Sequence, residues 1–351
     1  MSAPASTTPA QQPAAQQPNP AEHILQVGSG YLASISLNIA VQLNIADLLA
    51  AGPRPVTELA RETQTNEDAL YRMLRALASV GVFIESAPRV FANTPPSDLL
   101  RSGVPGSLRD ALAFWCDPFH FRIYAEFMHS VRTGQPTIDK VMGIPIFEYF
   151  PTDPQESEVF NRAMVSFSAM TIPAVLEAYD FSGIGTLVDV AGGHGSAICA
   201  VLAKYPQMRG ILTDLEHVLA GAKSCMEQHG VADRCTTQVC DFFKSVPAGG
   251  DAYLMKHIIH DWDDEKALTI LRNIHAAMGE KKGKVILIEA VMPAGNAPHL
   301  VKFLDLEMLA MPGGRERSEA EFRALFDRAG FRLTNVVPTK SPMSVVAAVK
   351  I

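Results

Sequence analysis

The feature that most constrains the fold is a β-strand, a glycine-rich turn, a helix and a second strand that follow one another near the middle of the chain. Apolar β-branched runs predict the strands, and an apolar helical pattern predicts the helix. This order is typical of a doubly wound α/β domain, which binds ligands at the carboxyl ends of its parallel strands. Its parts are the strand Thr186–Val190, the turn residues Gly192, Gly193 and Gly195, the helix Ser196–Lys204, the strand Gly210–Leu212 and the acidic residue Asp214.

The turn indicates a nucleotide-like ligand. Glycines let the backbone approach a ligand closely, and Asp214 can accept hydrogen bonds from a ribose diol. By itself this pattern does not distinguish a dinucleotide from S-adenosylmethionine. The dinucleotide pattern G-x-G-x-x-G would need a small residue at position 198, which is Ile198 here. An oxidoreductase is therefore disfavoured.

Further strands extend this half of the chain. Asp241 and Phe242 follow a predicted third strand, and an acidic and an aromatic side chain there suit the amine and the ring face of adenine. The segment after the fourth strand contains His260, which should face the ligand cleft because ligands bind beyond the strand ends. The predicted elements are the strands Asp251–Met255 and Lys284–Glu289, a helix that runs to Met278, and a terminal hairpin of Arg332–Val337 with Ser344–Lys350.

The composition indicates a folded protein with neither nucleic acid nor membrane as a partner. The 351 residues suffice for two domains, and the net charge of −7 offers no positive field to phosphate groups. The five cysteines include no C-x-x-C pair. We therefore expect neither a disulfide framework nor a thiolate zinc site, and a cytoplasmic location fits best.

The N-terminal region begins with a proline-rich stretch and continues with a helix. Residues 1–20 contain five prolines and no charge, which predicts a disordered tail without the features of a secretory signal. Apolar positions at helical spacing predict an amphipathic helix from Leu25 to Ala46 that packs on a protein surface of the same chain or of a second copy. The stretch Ile24–Ala46 is too polar to span a membrane.

The next segment resembles a winged helix. The predicted elements are a short helix capped by Thr57 and ending at Arg61, a longer helix capped by Asn66 and ending at Val80, and a hairpin of Val82–Ile84 with Arg89–Ala92. Such modules often bind DNA. Between Pro53 and Arg101, however, six arginines balance six acidic residues. We therefore expect a scaffolding or dimerising role.

A helical stretch from Ser107 to Arg132 concentrates six aromatic side chains within fourteen positions. These rings would form ordinary core or line a pocket for a flat hydrophobic ligand. The predicted organisation is a disordered tail at 1–20, an N-terminal helical, winged-helix-like dimerisation domain at 21–106, a helical linker and substrate-pocket segment at 107–180 and a ligand-binding catalytic domain at 181–351.

Several ordered motifs identify a family. From about residue 21 to its end, the chain resembles the S-adenosylmethionine-dependent small-molecule O-methyltransferases of the plant caffeate and flavonoid type and their bacterial natural-product relatives. One departure is Ala191, where the family usually has a third glycine. The motifs are Leu187-Val-Asp-Val-Ala-Gly-Gly-His-Gly195, Thr213-Asp-Leu, Asp241-Phe-Phe, Met255-Lys-His-Ile-Ile-His-Asp-Trp262, Ile288-Glu-Ala-Val-Met-Pro293 and Gly313-Gly-Arg-Glu-Arg-Ser318.

The resemblance implies a Rossmann-like methyltransferase domain and a role in secondary metabolism. The apolar face of the Leu25–Ala46 helix and the neutral winged-helix-like block predict a homodimer. It implies His260 as the general base, Glu289 and Glu316 as the groups that hold the imidazole, and Asp261 close to the reacting hydroxyl. A phenol has a pKa of about 10, so a positioned base would increase its reactivity by roughly 10²–10⁴. The S-adenosylmethionine contacts that the resemblance implies are Gly192, Asp214, Asp241, Phe242, Lys256 and, as a weaker candidate, Ser168.

Other interpretations stay open at this point. His257, His260 and Asp261 would be a metal triad if both imidazoles met one ion. If residues 257–260 continue the strand, however, two histidines three positions apart point to opposite faces, so we expect no metal. The acceptor atom would be nitrogen or carbon in a relative turned to such chemistry, and a non-catalytic cofactor-binding protein would keep the same fold. The presence of His260, Glu289 and Glu316 together favours the enzyme.

Overall fold

The structure is a computed structural model that describes residues 19–351. Most of the predicted tail at 1–20 thus lies outside the described residues. The chain forms two compact units, which divide between Thr94 and Pro95. The domain boundaries expected after residues 20, 106 and 180 stay predictions.

In its described residues, the first unit combines four helices with a small antiparallel three-stranded sheet, in which β3 lies between β1 and β2. Asn44, in the left-handed region at φ 56, interrupts the helix predicted to run from Leu25 to Ala46. Asn66 caps its helix as predicted, since its Oδ1 accepts from the amide of Ala69 at 3.0 Å. Thr57 caps nothing, because its helix begins one residue earlier. The elements are α1 (Pro20–Gln42), α2 (Ile45–Leu48), β1 (Arg54–Pro55), α3 (Val56–Thr63), α4 (Glu67–Ser79), β2 (Phe83–Ala87) and β3 (Val90–Asn93).

The second unit begins with short helices that lead to one long helix. The stretch from Ser107 to Arg132, predicted as continuously helical, contains three helices instead. Pro118 has no amide hydrogen to continue the first of them, and Asp117 starts the next by accepting from the amide of His120 at 2.8 Å. The elements are α5 (Pro95–Asp98), α6 (Arg109–Trp115), α7 (Pro118–Tyr124), α8 (Met128–Thr133), α9 (Thr137–Met142), α10 (Ile146–Tyr149), a 3-10 turn (Phe150–Thr152) and α11 (Pro154–Ala178).

A seven-stranded sheet forms the centre of the second unit, in the order β6-β5-β4-β7-β8-β10-β9. The first five strands of the sheet are parallel, whereas the last two form the predicted hairpin and run antiparallel. The strands are β4 (Thr186–Val190), β5 (Arg209–Asp214), β6 (Cys235–Val239), β7 (Ala252–Lys256), β8 (Lys284–Glu289), β9 (Phe331–Pro338) and β10 (Ser344–Lys350).

Helices cover both faces of this sheet, and each face has its own apolar core. The predicted doubly wound α/β fold is confirmed. Chain order reverses between β4 and β7, and such a reversal opens a crevice at the carboxyl ends of the strands. The remaining elements are α12 (Ser196–Lys204), α13 (Glu216–Leu219), α14 (Ala222–Gln228), a 3-10 turn (Ile259–Asp261), α15 (Asp264–Ala277), α16 (Val301–Ala310) and α17 (Glu319–Arg328).

Two helices, α1 and α11, have the length and apolar composition of a membrane span. This criterion does not bear out the expectation that Ile24–Ala46 is too polar. Core helices of soluble proteins meet the same criterion. Two side chains of α11 contact the neighbouring segment: Ser166 donates to the carbonyl of Ser107 at 2.7 Å, and Arg162 pairs with Asp110 at 3.5 Å. This helix therefore packs as part of the second unit.

Candidate active site

The glycine turn after β4 brings the backbone against the last residue of β5. Asp214 accepts hydrogen bonds from the amides of Gly193 at 2.9 Å and Leu215 at 2.7 Å. A Cβ atom at Gly192 would lie 2.5 Å from the Asp189 carboxyl and from Leu212 Cδ1. Only glycine fits at position 192, and the predicted Gly192 and Asp214 lie at one site.

Sequence reasoning missed Asp189, which lies in β4 and is fully buried. Among the described residues neither of its carboxyl oxygens has a hydrogen-bond partner, and burial raises its pKa to about 7. A buried polar group without a partner is costly. An acid within an otherwise apolar strand was the available signal. The carboxyl of Asp189, beside Gly192, is therefore an acceptor that the described residues leave unsatisfied.

Ala191 lies in the left-handed region, at φ 56. A non-glycine residue there costs roughly 1–2 kcal/mol. The turn thus keeps the backbone shape that the missing glycine would favour, at the expense of some strain beside Gly192.

The other predicted cofactor residues have different surroundings. Asp241 accepts from the amide of Phe243 at 3.1 Å, and the ring of Phe242 lies 6.1 Å from that of Trp262. Lys256 ends β7, and burial lowers its pKa. Ser168 donates to a carbonyl of its own helix, that of Met164, at 2.7 Å.

The segment after β7 leaves the strand at once. His257 takes a left-handed φ of 55, and Ile259–Asp261 forms a 3-10 turn. Glu289, at the end of β8, holds this turn by accepting from the amides of Ile258 at 3.1 Å and Ile259 at 2.9 Å. The turn places His260 at the carboxyl end of the sheet, as predicted.

Three carboxyl groups surround the buried imidazole of His260. Its Nδ1 lies 2.8 Å from Glu316 Oε1 and 3.7 Å from Glu289 Oε2, and its Nε2 lies 3.5 Å from Asp261 Oδ1. The predicted set of four is thus brought together. Because a carboxylate only accepts, Nδ1 carries the hydrogen that is donated to Glu316. This leaves Nε2 as the nitrogen available to a ligand.

Burial and the neighbouring carboxyl groups have opposite effects on the pKa of His260. Burial by itself lowers the pKa of His260, but Glu289, Glu316 and Asp261 outweigh it and raise that pKa to about 10. Burial raises the pKa of Asp261 to about 7 and also raises the pKa of Glu289. At neutral pH the imidazole is therefore mostly protonated, and Nε2 acts as a base only in the fraction of molecules that has lost this proton.

The segment after α16 supports the turn that carries His260. Arg317 donates to the carbonyls of Ile259 at 2.9 Å and Trp262 at 2.8 Å, and pairs with Asp264 at 2.8 Å. The sequence pattern assigned Arg317 no role in the site. Its side chain is 1% exposed, so it is an internal brace.

His257 and His260 do not lie on opposite faces of a strand, as a strand continuing through residue 260 would require. Because the strand ends at Lys256, the rings of His257 and His260 lie 5.2 Å apart and line one cavity. Ligand atoms of His257, His260 and Glu289 lie within 4.8 Å of one another. Burial and the neighbouring Lys256 lower the pKa of His257 well below its usual range. Geometry thus does not exclude a metal here, and its expected absence stays a prediction.

A second group of possible metal ligands lies away from this cavity. Ligand atoms of Cys199, Cys225 and His229 also lie within 4.8 Å of one another. Cys199 lies in α12, Cys225 lies in α14, and His229 directly follows the last residue of α14. Because Cys199 and Cys225 lie far apart along the chain, a search for closely spaced cysteine pairs does not find this cluster.

A cavity of about 260 Å³ opens beside His260. Its lining includes Phe114 and Trp115 from the aromatic stretch, whereas Phe119 belongs to an apolar cluster of the second unit. Apart from four residues, the lining is apolar, which suits a hydrophobic, flat ligand. The four polar lining residues are His257, His260, Asp261 and Glu307.

Two family models match this chain. One, described as an O-methyltransferase domain, matches residues 124–332. The other, described as an O-methyltransferase dimerisation domain, matches residues 25–103. The dimerisation-domain match lies mostly in the first compact unit, and the O-methyltransferase-domain match lies within the second.

Individual relatives agree with these matches. The chain is 42% identical over 325 residues to the phenazine O-methyltransferase PhzM of Lysobacter antibioticus, covering 93% of this chain and 95% of that one. CalO1, a methyltransferase in calicheamicin biosynthesis solved in its SAH-bound form, superposes with a TM-score of 0.85 at 34% identity, covering 94% and 98% of the two chains. NcsB1, an O-methyltransferase from neocarzinostatin biosynthesis in complex with S-adenosylmethionine and 2-hydroxy-5-methyl naphthoic acid, gives 0.76 at 32% identity, covering 91% and 96%.

Proposed function

Because this chain belongs to the O-methyltransferase family, we propose that it methylates a hydroxyl of an aromatic or polyketide-like small molecule with His260 as the general base. As a member of that family, it is an S-adenosylmethionine-dependent O-methyltransferase of natural-product biosynthesis. One observation carries the proposal: Nε2 of His260 is available at an apolar, aromatic-lined cavity while Nδ1 is held by Glu316. The naphthoic acid bound by NcsB1 supports an aromatic acceptor.

The proposed cofactor site is the crevice at the glycine turn. Gly192 allows the close approach, Asp214 accepts from a ribose, and Asp241 with Phe242 receives the adenine, while Lys256 and the weaker candidate Ser168 complete the set. The unpartnered carboxyl of Asp189 fits a ligand that brings positive charge and hydrogen-bond donors. When bound, S-adenosylmethionine supplies an electrophilic methyl group on a sulfonium.

The protein's part in the reaction is to move one proton. In its neutral form, His260 takes the proton of the acceptor hydroxyl at Nε2, so that the oxygen electron pair is free to form the bond to carbon. The imidazolium that forms is stabilised through Nδ1 by Glu316. Glu289 acts on the position of the turn, and Asp261, 3.5 Å from Nε2, lies beside the reacting hydroxyl.

The pH dependence of kcat/KM should report this base. Although burial opposes it, the carboxylates raise the pKa of His260 to about 10, so kcat/KM should rise with pH as the imidazole loses its proton. Glu316→Gln removes one negative charge and should move the midpoint of that rise to lower pH by roughly one to three pH units. Profiles are measured for both proteins with two phenols of different acidity. A midpoint that follows only the phenol, and not the substitution, would contradict the assignment.

The function itself is tested by direct transfer. Purified protein is incubated with labelled S-adenosylmethionine and a panel of phenols, polyketides and N-heterocycles, with and without a strong chelator, and products are identified by mass. Methylated hydroxyl products that persist under chelation support the proposal. Transfer only to nitrogen or carbon, or transfer that needs added metal, would reject it.

We also propose that the chain is a homodimer built through its first unit. In α1, Ile24 is 69% exposed and Leu25 is 71% exposed, and exposed apolar surface of this kind usually marks an interface. The match to a dimerisation domain supports the same conclusion. Light scattering should give twice the chain mass, and Leu25→Glu should lower it. A monomer at micromolar concentration would overturn the proposal. The winged-helix likeness and the cytoplasmic location stay predictions.

A further inference from the structure

One carboxylate in the cavity wall takes no part in the proposed proton transfer. Glu307 lies on α16, and its side chain is 10% exposed. Around it on the same helix, Leu304 and Met308 are apolar members of the lining. A charged group in such a wall is costly unless other groups stabilise it.

The side chains of His120 and Tyr124 contact the carboxylate of Glu307. His120 Nε2 lies 3.0 Å from Oε1, and the hydroxyl of Tyr124 donates to Oε2 at 2.6 Å. The other ring nitrogen of His120 lies 2.8 Å from Asp117 Oδ1. With a carboxylate at each nitrogen, the imidazole is best satisfied when both nitrogens donate.

The charge of this group does not cancel. Burial lowers the pKa of His120, but Glu307 and Asp117 outweigh it and raise that pKa to about 9, so the ring is positive at neutral pH. Burial and Glu307 raise the pKa of Tyr124, which stays neutral. Two carboxylates and one imidazolium leave one net negative charge. Because a carboxylate has about four acceptor positions, His120 and Tyr124 leave capacity for a ligand.

We propose that Glu307 forms an anionic subsite of the acceptor pocket, which binds a hydrogen-bond donor of the acceptor, best a cationic amine, and disfavours an acceptor that presents a carboxylate there. The inference rests on the proposed function, because it assigns the acceptor class of the same cavity. The His120, Asp117 and Tyr124 side chains fix the carboxylate in place, so that it need not be ordered at each binding event.

The test compares three hydroxynaphthalenes that share the ring and the hydroxyl position and carry an aminomethyl, a methyl or a carboxylate group at the same remote carbon. The wild-type protein should prefer the amine. Glu307→Gln keeps the shape but removes the charge, so kcat/KM for the amine should fall by roughly 10- to 100-fold. The methyl compound should change little, and the carboxylate should improve.

The decisive quantity is the ratio of kcat/KM for the amine to kcat/KM for the carboxylate, measured within each protein. This ratio does not depend on the fraction of protein that is folded. Tyr124→Phe is the matched control: it removes one donor from the carboxylate but keeps the charge, so the preference for the amine should persist or increase. An unchanged ratio in Glu307→Gln would overturn the subsite.

Calorimetric binding of the same three compounds separates this proposal from the proposed function. Charge-selective binding without methylation would support the subsite and count against the acceptor class of the proposed reaction. Methylation of all three compounds at equal kcat/KM would support the acceptor class of the proposed reaction and overturn the subsite. If Glu307→Gln does not fold, equal affinity of the wild-type protein for amine and carboxylate still overturns the subsite.

Discussion

His260→Ala should lower turnover of a phenolic acceptor by roughly two to four orders of magnitude while leaving the affinity for S-adenosylmethionine nearly unchanged. The imidazole is the proposed proton acceptor, whereas Gly192 and Asp214 lie at the glycine turn. Single-turnover assays measure the loss, and calorimetry measures cofactor affinity. Raising the pH should partly restore the variant, because a phenolate needs no base.

The matched control is His257→Ala, since the two rings lie 5.2 Å apart in one cavity. It should lose much less turnover and should not be rescued by high pH. If His260→Ala keeps wild-type turnover on its best hydroxyl acceptor, His260 is not the base. If it loses cofactor affinity and stability together, the histidine is structural.

Gly314→Ala should lower turnover by roughly two orders of magnitude or more, although this residue touches no ligand in the proposed reaction. A Cβ atom at position 314 would overlap the carbonyl oxygen of His260 and the carbonyl carbon of Asp261, and would lie 2.6 Å from the amide nitrogen of Trp262. These are backbone atoms, which cannot rotate away, so the turn must move. A displacement of about 1 Å near reacting groups can cost about 10²-fold.

The control for this second substitution is Gly279→Ala. Gly279 has a left-handed φ of 55 but no atom within 4 Å of an added Cβ, so it tests backbone strain alone. It should lower stability by roughly 1–2 kcal/mol and leave turnover unchanged. Thermal unfolding and kcat are measured for both variants. Wild-type stability and turnover in Gly314→Ala would contradict the close packing of the turn.

Local pattern predicted several elements of the second unit with their bounds. The strands Thr186–Val190 and Lys284–Glu289 and the helix Ser196–Lys204 have the bounds that their apolar patterns predict. Each element buries a face whose periodicity is visible in a short window. The same approach failed where one residue changes the backbone: Asn44, with its left-handed φ, separates α1 from α2, and Pro118 divides the aromatic-rich stretch predicted to be one helix.

The sequence by itself determined the doubly wound sheet, the glycine turn beside Asp214 and the place of His260 beyond a strand end. Short windows of the sequence are enough to show the periodicity of each element and the order of the elements along the chain. Only the tertiary structure decided that Glu316 rather than Glu289 bonds Nδ1, that His257 faces the same cavity as His260, and that Glu307 meets His120, 187 positions away along the chain. A hydrophobic pattern specifies which face of an element is buried. Which buried faces meet depends on the packing of elements distant in sequence, and it is at those contacts that the charges and pKa values of the site are set.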